Sequence, residues 1–102
     1  MIITYLQISE LSGYSRNNKD HPKEQIDLLA KMIEDYGFNS PIIIDSSNTI
    51  IAGHGRLEAA KKLGLERVPC VIKDDLSDEQ IRVYRLLDNR IAELATNNLE
   101  NI

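Results

Sequence analysis

The sequence is poor in the residues that staple small proteins together. A single cysteine in 102 residues excludes a disulfide framework and a zinc site built from cysteines. Long apolar runs are missing too. The longest, Pro41–Ile44 and Thr49–Ala52, fall far short of the ~20 residues that a membrane span needs. Met1–Glu10 has neither a basic start nor a small-residue cleavage site, so no signal peptide is read there. Positive charge is not in excess: 12 Lys and Arg against 16 Asp and Glu leave a net charge of -4. That balance argues against a domain holding nucleic acid by charge alone. Only two histidines occur, with no paired acid near them in sequence, so a metal site built on them finds no support. No repeat, low-complexity tract or linker divides the chain. The expectation is one domain spanning 1–102, in a reducing cytoplasmic setting.

What is present suits a small packed fold. The 42% of hydrophobic residues can supply a modest core, which sets the chain apart from disordered sequences. Residues 2–8 are β-branched and aromatic enough for a strand. A polar stretch from Ser12 to Asp20 reads as a loop. His21-Pro22 opens a helix in which Ile26, Leu29, Ala30 and Ile33 recur at helical spacing, and Gly37 closes it. Residues 41–45 and 48–52, separated by Ser46-Ser47, read as a hairpin. A glycine turn at 53–56 leads into a short helix from Leu57 to Leu63, capped by Gly64. Arg67 to Lys73 is another strand, and Pro69 early within it predicts an edge or a strand start. Ser77 with Gln80 forms a capping box that opens a last helix carrying Ile81, Tyr84, Leu87, Ile91 and Leu94. The order β, α, β-β, α, β, α predicts a small α+β domain with a mixed sheet and three helices.

Three segments carry candidate chemistry. In Ala52-Gly53-His54-Gly55-Arg56-Leu57, two glycines join a strand to a helix. Such a turn lets the backbone approach a ligand, and the free N–H groups at a helix start favour an anion. Arg56 at its mouth can grip phosphate with two parallel hydrogen bonds. The plain alternative is a tight turn with a solvated arginine. His54, between the glycines, is a candidate acid or base, since histidine exchanges protons near neutral pH. Asp88 and Asn89, in or at a break of the last helix, offer the oxygen ligands that Mg²⁺ takes when it bridges to phosphate; the alternative is the helix's wet face. Arg16 and Asn17, in the polar loop, could read a base or a phosphate or simply be solvated. Cys70, beside Pro69, Val71 and Ile72, reads as a buried, inert thiol.

The run Asn39–Ile44, the hairpin, the segment 51–65 (IAGHGRLEAAKKLGL) and Val68–Ile72 together resemble the N-terminal domain of ParB-like proteins. The resemblance runs from about Tyr5 to Glu93. It implies the fold shared with sulfiredoxin and a free-serine kinase. The forms Gly-His-Gly-Arg-Leu-Glu-Ala-Ala and Leu-Asp-Asn-Arg are most similar to the ParB-like domain found with phage-type DNA methylases. For the partition proteins, the resemblance implies a Gly-Glu-Arg-Arg segment cradling the triphosphate of CTP, and a Glu-Asn pair that helps to hold Mg²⁺. Gly53 and Arg56 match the first, and Asp88-Asn89 match the second. His54, Gly55 and Glu58 depart from the pattern, removing an acid and two cationic grips. Sulfiredoxin's reactive cysteine has no counterpart, since Gly55 stands there.

The leading expectation is a nucleotide- or phosphate-binding module in a DNA-directed system: DNA modification, partition or transcription regulation, linked to a mobile element. Its ligand is a nucleoside triphosphate, CTP or ATP, with Mg²⁺. Gly53, His54, Gly55 and Arg56 make the site, Arg16 and Asn17 close it from the loop, and Asp88 and Asn89 support the metal. One alternative is an NTP-dependent hydrolase, kinase or nuclease-like enzyme using His54. Another is a protein-interaction module whose nucleotide site has decayed. No helix-turn-helix follows the last helix, so DNA is expected to be met through another domain or a partner protein, with the chain as a fragment of a longer protein in the first case. No membrane role is expected, and Ile and Leu residues beyond Asp88 offer a surface on which two copies can pair.

Overall fold

The computed structural model describes residues 1–13 and 22–100. Four strands and three α-helices appear in the order β1 (Thr4–Gln7), α1 (Lys23–Tyr36), β2 (Ile42–Ile44), β3 (Ile50–Ala52), α2 (His54–Lys62), β4 (Arg67–Ile72) and α3 (Asp78–Glu100). A single 3-10 turn, Ile8–Glu10, follows β1. The strands form one mixed sheet in the order β1-β4-β2-β3. The outer pairs are antiparallel, and β2 and β4 run parallel at the centre. This is the α+β architecture with a mixed sheet and three helices that the sequence pattern predicts.

The main core lies between one face of the sheet and helix α2, and α1 packs on α2. Ile42, Ile44, Ile50, Val68 and Cys70 are buried there with Leu57 and Ala60 of α2. Each aliphatic side chain taken fully from water contributes about 1.5–3 kcal/mol. Ala30 and Ile33 of α1 close on Ala59 of α2, the two alanines letting the helices approach. Lys62 of α2 also pairs with Asp27 of α1. Gly37 ends α1 as its spacing predicts: with φ +92°, it turns its N–H onto the Ile33 carbonyl at 2.8 Å. His21, read as opening this helix, lies outside the described residues, and Pro22 stands at the N-cap. The hairpin turn is organised by Asp45, whose carboxylate accepts from the N–H groups of Ser47 (2.8 Å) and Thr49 (2.9 Å).

Pro69 departs from expectation. Instead of marking an edge, it is buried in β4, which has a neighbour on each side. The hydrogen-bond register explains why this is tolerated. Ile8 N–H donates to the Glu66 carbonyl at 2.9 Å, so 8 and 66 form a hydrogen-bonded pair. Antiparallel pairs alternate, which makes Tyr5 and Pro69 a non-hydrogen-bonded pair. The Pro69 nitrogen therefore faces β2. On that side, Lys73 N–H donates to the Ile44 carbonyl at 2.7 Å. Stepping back by twos, position 69 falls opposite residue 40, before β2 begins. The missing N–H costs no ladder bond.

The capping box of α3 is reciprocal: Gln80 N–H donates to Ser77 Oγ at 3.2 Å, and Ser77 N–H donates to Gln80 Oε1 at 2.8 Å. The helix then continues through Asp88 and Asn89 without a break. Of its apolar residues at helical spacing, Ile81 is buried, whereas Tyr84, Leu87, Ile91 and Leu94 are exposed, Ile91 at 66%. The other inward residue is Arg85, only 8% exposed. Among the described residues, no helix is long and apolar enough to cross a membrane.

Candidate functional site

The site begins where β3 gives way to α2. Three apolar residues, Ile50, Ile51 and Ala52, are fully buried and carry the chain in extended form to Gly53. Gly53 then takes φ +111° and ψ 21°, a left-handed conformation that side chains other than hydrogen rarely adopt. A Cβ at this position would lie 3.2 Å from Ile42 Cγ1 and 3.3 Å from Ile42 Cα. The glycine is thus required twice, by its dihedral angles and by the closeness of β2.

The helix starts one residue later than this glycine. Leu57 N–H donates to the Gly53 carbonyl at 3.0 Å, closing the first turn, so His54, Gly55 and Arg56 are helical. The expected turn over 53–56 is therefore shorter than predicted: Gly53 alone makes it. The reason is that this residue supplies the whole reversal, leaving Gly55 free to adopt helical angles. Gly53 has no side chain to cap α2, and no acidic residue stands in its first turn. Its opening N–H groups and positive dipole end are left to whatever approaches. Two lysines, Lys61 and Lys62, complement the other end.

Gly55 is buried, and His54 and Arg56 are half-buried. The Arg56 Nε atom is buried and has no hydrogen-bond partner among the described residues. A guanidinium N–H taken from water without a partner is costly, and an anion at the helix start would offset that cost. Glu58, the residue that departs from the partition pattern, is exposed and turned to Lys61 at 3.5 Å. Part of its charge is thereby screened from the helix start.

Asp88 is exposed and Asn89 half-buried on α3, the helix that packs against β3. Among the described residues, no group of three His, Cys, Asp or Glu is arranged to hold a metal ion. A carboxylate and an amide oxygen are nevertheless the hard donors that Mg²⁺ accepts beside water and phosphate. Arg16 and Asn17 lie outside the described residues. Cys70 is fully buried, its thiol against the Val68 carbonyl at 3.6 Å. Burial pushes this thiol up from its ordinary value, a hydrogen bond from the Leu6 backbone opposing the shift. It is the inert thiol its neighbours in sequence suggest.

Two features of the site's frame escape the sequence reading. Arg85 donates from Nη2 (2.9 Å) and Nε (3.3 Å) to the carbonyl of Ile50. On the same residue, the Ile50 N–H donates to the Ser12 carbonyl at 2.9 Å. A signal for the first was available: Ile81, Arg85 and Asn89 follow one another at i, i+4, so the buried Ile81 brings Arg85 inward. Nothing in the sequence announces the second, because Ser12 sits in a polar stretch like any loop.

Residues 1–90 match the ParB N-terminal domain family. The chain belongs to that family. It is 41% identical over 78 residues to the ParB-like nuclease domain-containing protein YnaK of Escherichia coli, covering 76% of this chain and 90% of that protein. Chromosome-partitioning and nucleoid occlusion proteins also match, but they are longer: this chain spans 30% of the Vibrio cholerae partitioning protein ParB and 23% of the Bacillus cereus nucleoid occlusion protein. In three dimensions the chain is similar to Caulobacter crescentus ParB complexed with CTP-gamma-S, with TM-score 0.74 and 22% identity over 87% of this chain and 53% of that one. Arabidopsis thaliana sulfiredoxin superposes with TM-score 0.69 and 22% identity, over 82% of this chain and 97% of that one. These likenesses bear out the shared fold expected from the resemblance.

Proposed function

We propose that this chain is a nucleotide-binding module that takes the phosphates of a nucleoside triphosphate at the start of α2. The observation that carries the reading is the start of α2 at a left-handed Gly53, which has no side chain to cap it, with the buried Arg56 Nε, unpartnered among the described residues, beside it. Gly53 and Gly55 let the phosphate approach the backbone, His54 contacts phosphate or base, and Arg56 supplies the charge. Arg16 and Asn17 add contacts to phosphate or base. Asp88 and Asn89 hold Mg²⁺, which bridges to the phosphates when bound. CTP is the first nucleotide to test, because Caulobacter ParB was solved with a CTP analogue on this fold; ATP is the second, since a free serine kinase of the same fold was solved with AMP.

The module acts in a DNA-directed system of the cytoplasm: DNA modification, partition or regulation, on a mobile element. A Caulobacter ParB has been solved with its parS site, which supports such a setting. With a net charge of -4, this chain meets DNA through another domain or protein.

The test is thermal denaturation with CTP, ATP, GTP and S-adenosylmethionine, each with and without Mg²⁺. A nucleotide at a hundred times its Kd adds about 2.7 kcal/mol, or about 10–20 °C in a domain of this size. The shift should vanish in Arg56→Ala. A shift that persists in Arg56→Ala refutes the assignment of the site. Phosphate release that depends on His54 would add a hydrolase activity to the module.

The exposed apolar residues of α3 favour a second role alongside the first. Leu86, Leu87, Ile91 and Leu94 are solvent-facing in one copy. Scattered exposed leucines are ordinary, but a cluster on one helix marks an association surface. Pairing of two copies through Ile91 and Leu94 is the form proposed.

A further inference from the structure

We infer that Arg85 is a positioning residue for this site, fixing the Asp88–Asn89 pair of α3 relative to the Gly53 turn through the backbone of Ile50. The inference rests on the nucleotide reading above and names the part of the frame on which its metal side depends.

Ile50 lies on an edge strand, bonded to β2 on one side only. Its outward N–H and carbonyl would be unpaired ladder groups, which are expensive when buried. Both are satisfied by elements distant in sequence: the N–H by Ser12, and the carbonyl by Arg85 at a separation of 35 residues. A guanidinium with two donors on a single carbonyl sets the azimuth of the helix as well as its distance, since both N–H groups must reach one oxygen. Arginine does here what a neighbouring strand does elsewhere, and it does so from a helix.

The lever arms are short on each side of this contact. From Ile50, three residues of extended chain lead to Gly53, about 10 Å at ordinary strand rise. From Arg85, one turn of α3 leads to Asn89, about 6 Å along the axis. Arg85 and Asn89 share a helix face, and both are more buried than Asp88 between them. Of the side chains of α3 whose burial is described, Ile81 and Arg85 are the buried ones, and its flank toward Leu86 and Leu87 is wet. Remove the guanidinium and the helix keeps Ile81 and its capping box near the start, while the turn bearing Asp88–Asn89 loses the Arg85 tether to β3.

A structural clamp and a positioning clamp predict different losses. If Arg85 only satisfies a buried carbonyl, its removal lowers stability and weakens every ligand alike. If it positions the metal pair, its removal spares phosphate binding at the Gly53 turn and abolishes the contribution of Mg²⁺. The experiment titrates CTP with and without Mg²⁺ into the whole chain, as wild type, Arg85→Met and Arg85→Lys. Methionine keeps the buried stem and removes the donors; lysine restores one. In wild type, Mg²⁺ is expected to tighten CTP by about tenfold, an ordinary coupling between two ligands. In Arg85→Met that gain should fall below about twofold, with metal-free affinity unchanged, and Arg85→Lys should recover part of it. A full Mg²⁺ gain in Arg85→Met, or an equal loss with and without metal, overturns the inference. If Arg85→Met does not fold, Arg85→Gln is held to the same outcomes.

If wild type binds neither CTP nor ATP, the nucleotide reading fails separately. Arg85 is then judged by spin labels at Glu58→Cys on α2 and Leu86→Cys on α3. The distance distribution should broaden in Arg85→Met and narrow again in Arg85→Lys. A distribution unchanged by Arg85→Met overturns the inference.

Discussion

Replacing Gly53 by alanine tests the centre of the site without reference to any ligand. Two costs add at this position. A Cβ in the left-handed region costs about 1–2 kcal/mol. The same atom meets Ile42 at 3.2 and 3.3 Å, one contact being with the backbone of β2. Ile42 is fully buried, so it has nowhere to move, and overpacking of this kind costs about 1–3 kcal/mol. The sum is a loss of about 2–5 kcal/mol, a large share of the ~5–15 kcal/mol that holds an ordinary domain together. At about 4–8 °C per kcal/mol, the melting temperature should fall by about 8–40 °C. Two other glycines separate the terms. Gly64 has φ +75° but open space where its Cβ would stand, so Gly64→Ala should lose only the dihedral cost. Gly13 has open space and no positive φ, so Gly13→Ala should change stability by less than about 0.5 kcal/mol. Urea denaturation of the three variants, with unchanged m values, gives the ranking. If Gly53→Ala is no worse than Gly64→Ala, the close approach of the turn to β2 is refuted. If it is no worse than Gly13→Ala, the left-handed turn itself is refuted.

Other outcomes follow from features away from the turn. Ser77→Ala removes the reciprocal cap of α3 and should cost about 1 kcal/mol in urea denaturation, whereas a loss near zero would mean the cap is not formed in solution. Cys70 should resist maleimide in the folded chain at neutral pH and react on unfolding; rapid native labelling would contradict its burial. Because burial raises the folded thiol above its ordinary 9.0, the folded state holds its proton longer than the unfolded one. That contribution is fully present below pH 9 and is lost as the pH climbs toward the folded value. Stability should therefore decline more steeply above pH 9 in wild type than in Cys70→Ala, and parallel curves would refute the shift. Finally, Ile91→Lys should abolish any dimer detected by sedimentation while leaving the melting temperature of the monomer unchanged, since Ile91 is exposed in one copy.

The parts of this fold that could be read from the sequence are those decided locally. Periodicity locates α1, and Gly37 ends it. Ser77 and Gln80 announce the start of α3 because a capping box is a contact between residues three apart. The hairpin is likewise legible from two short apolar runs and a polar turn. What escaped the reading depends on partners far along the chain. Pro69 reads as an edge residue by local rules, and only the register between β2 and β4 shows why it is tolerated at the centre. The helix beginning at His54, not Leu57, follows from Gly53 making the whole reversal alone, in a left-handed conformation that the pair Gly53 and Gly55 does not announce. Arg85 reads as one more charged residue on a wet helix until β3 is placed beneath it. Of the candidate site, Gly53, His54, Gly55 and Arg56 are brought together by their own continuity. Asp88 and Asn89 stand on α3, whose packing against β3 is a tertiary fact that spacing cannot supply.

The proline in the central strand has a consequence for how the sheet chooses its alignment. Shifting β2 along β4 by two residues would keep Ile42 and Ile44 pointing into the core, so hydrophobicity alone does not forbid it. Such a slip, however, would bring the Ile42 carbonyl opposite position 69, where there is no N–H to meet it. A buried carbonyl left without a donor costs about 1–3 kcal/mol, enough to bias the choice by about fivefold or more. Pro69 thus acts as a stop that discards the nearest competing alignment. Ile42 is also the residue against which Gly53 rests. A missing hydrogen in one strand therefore bears on how far along the sheet the Gly53 turn is set.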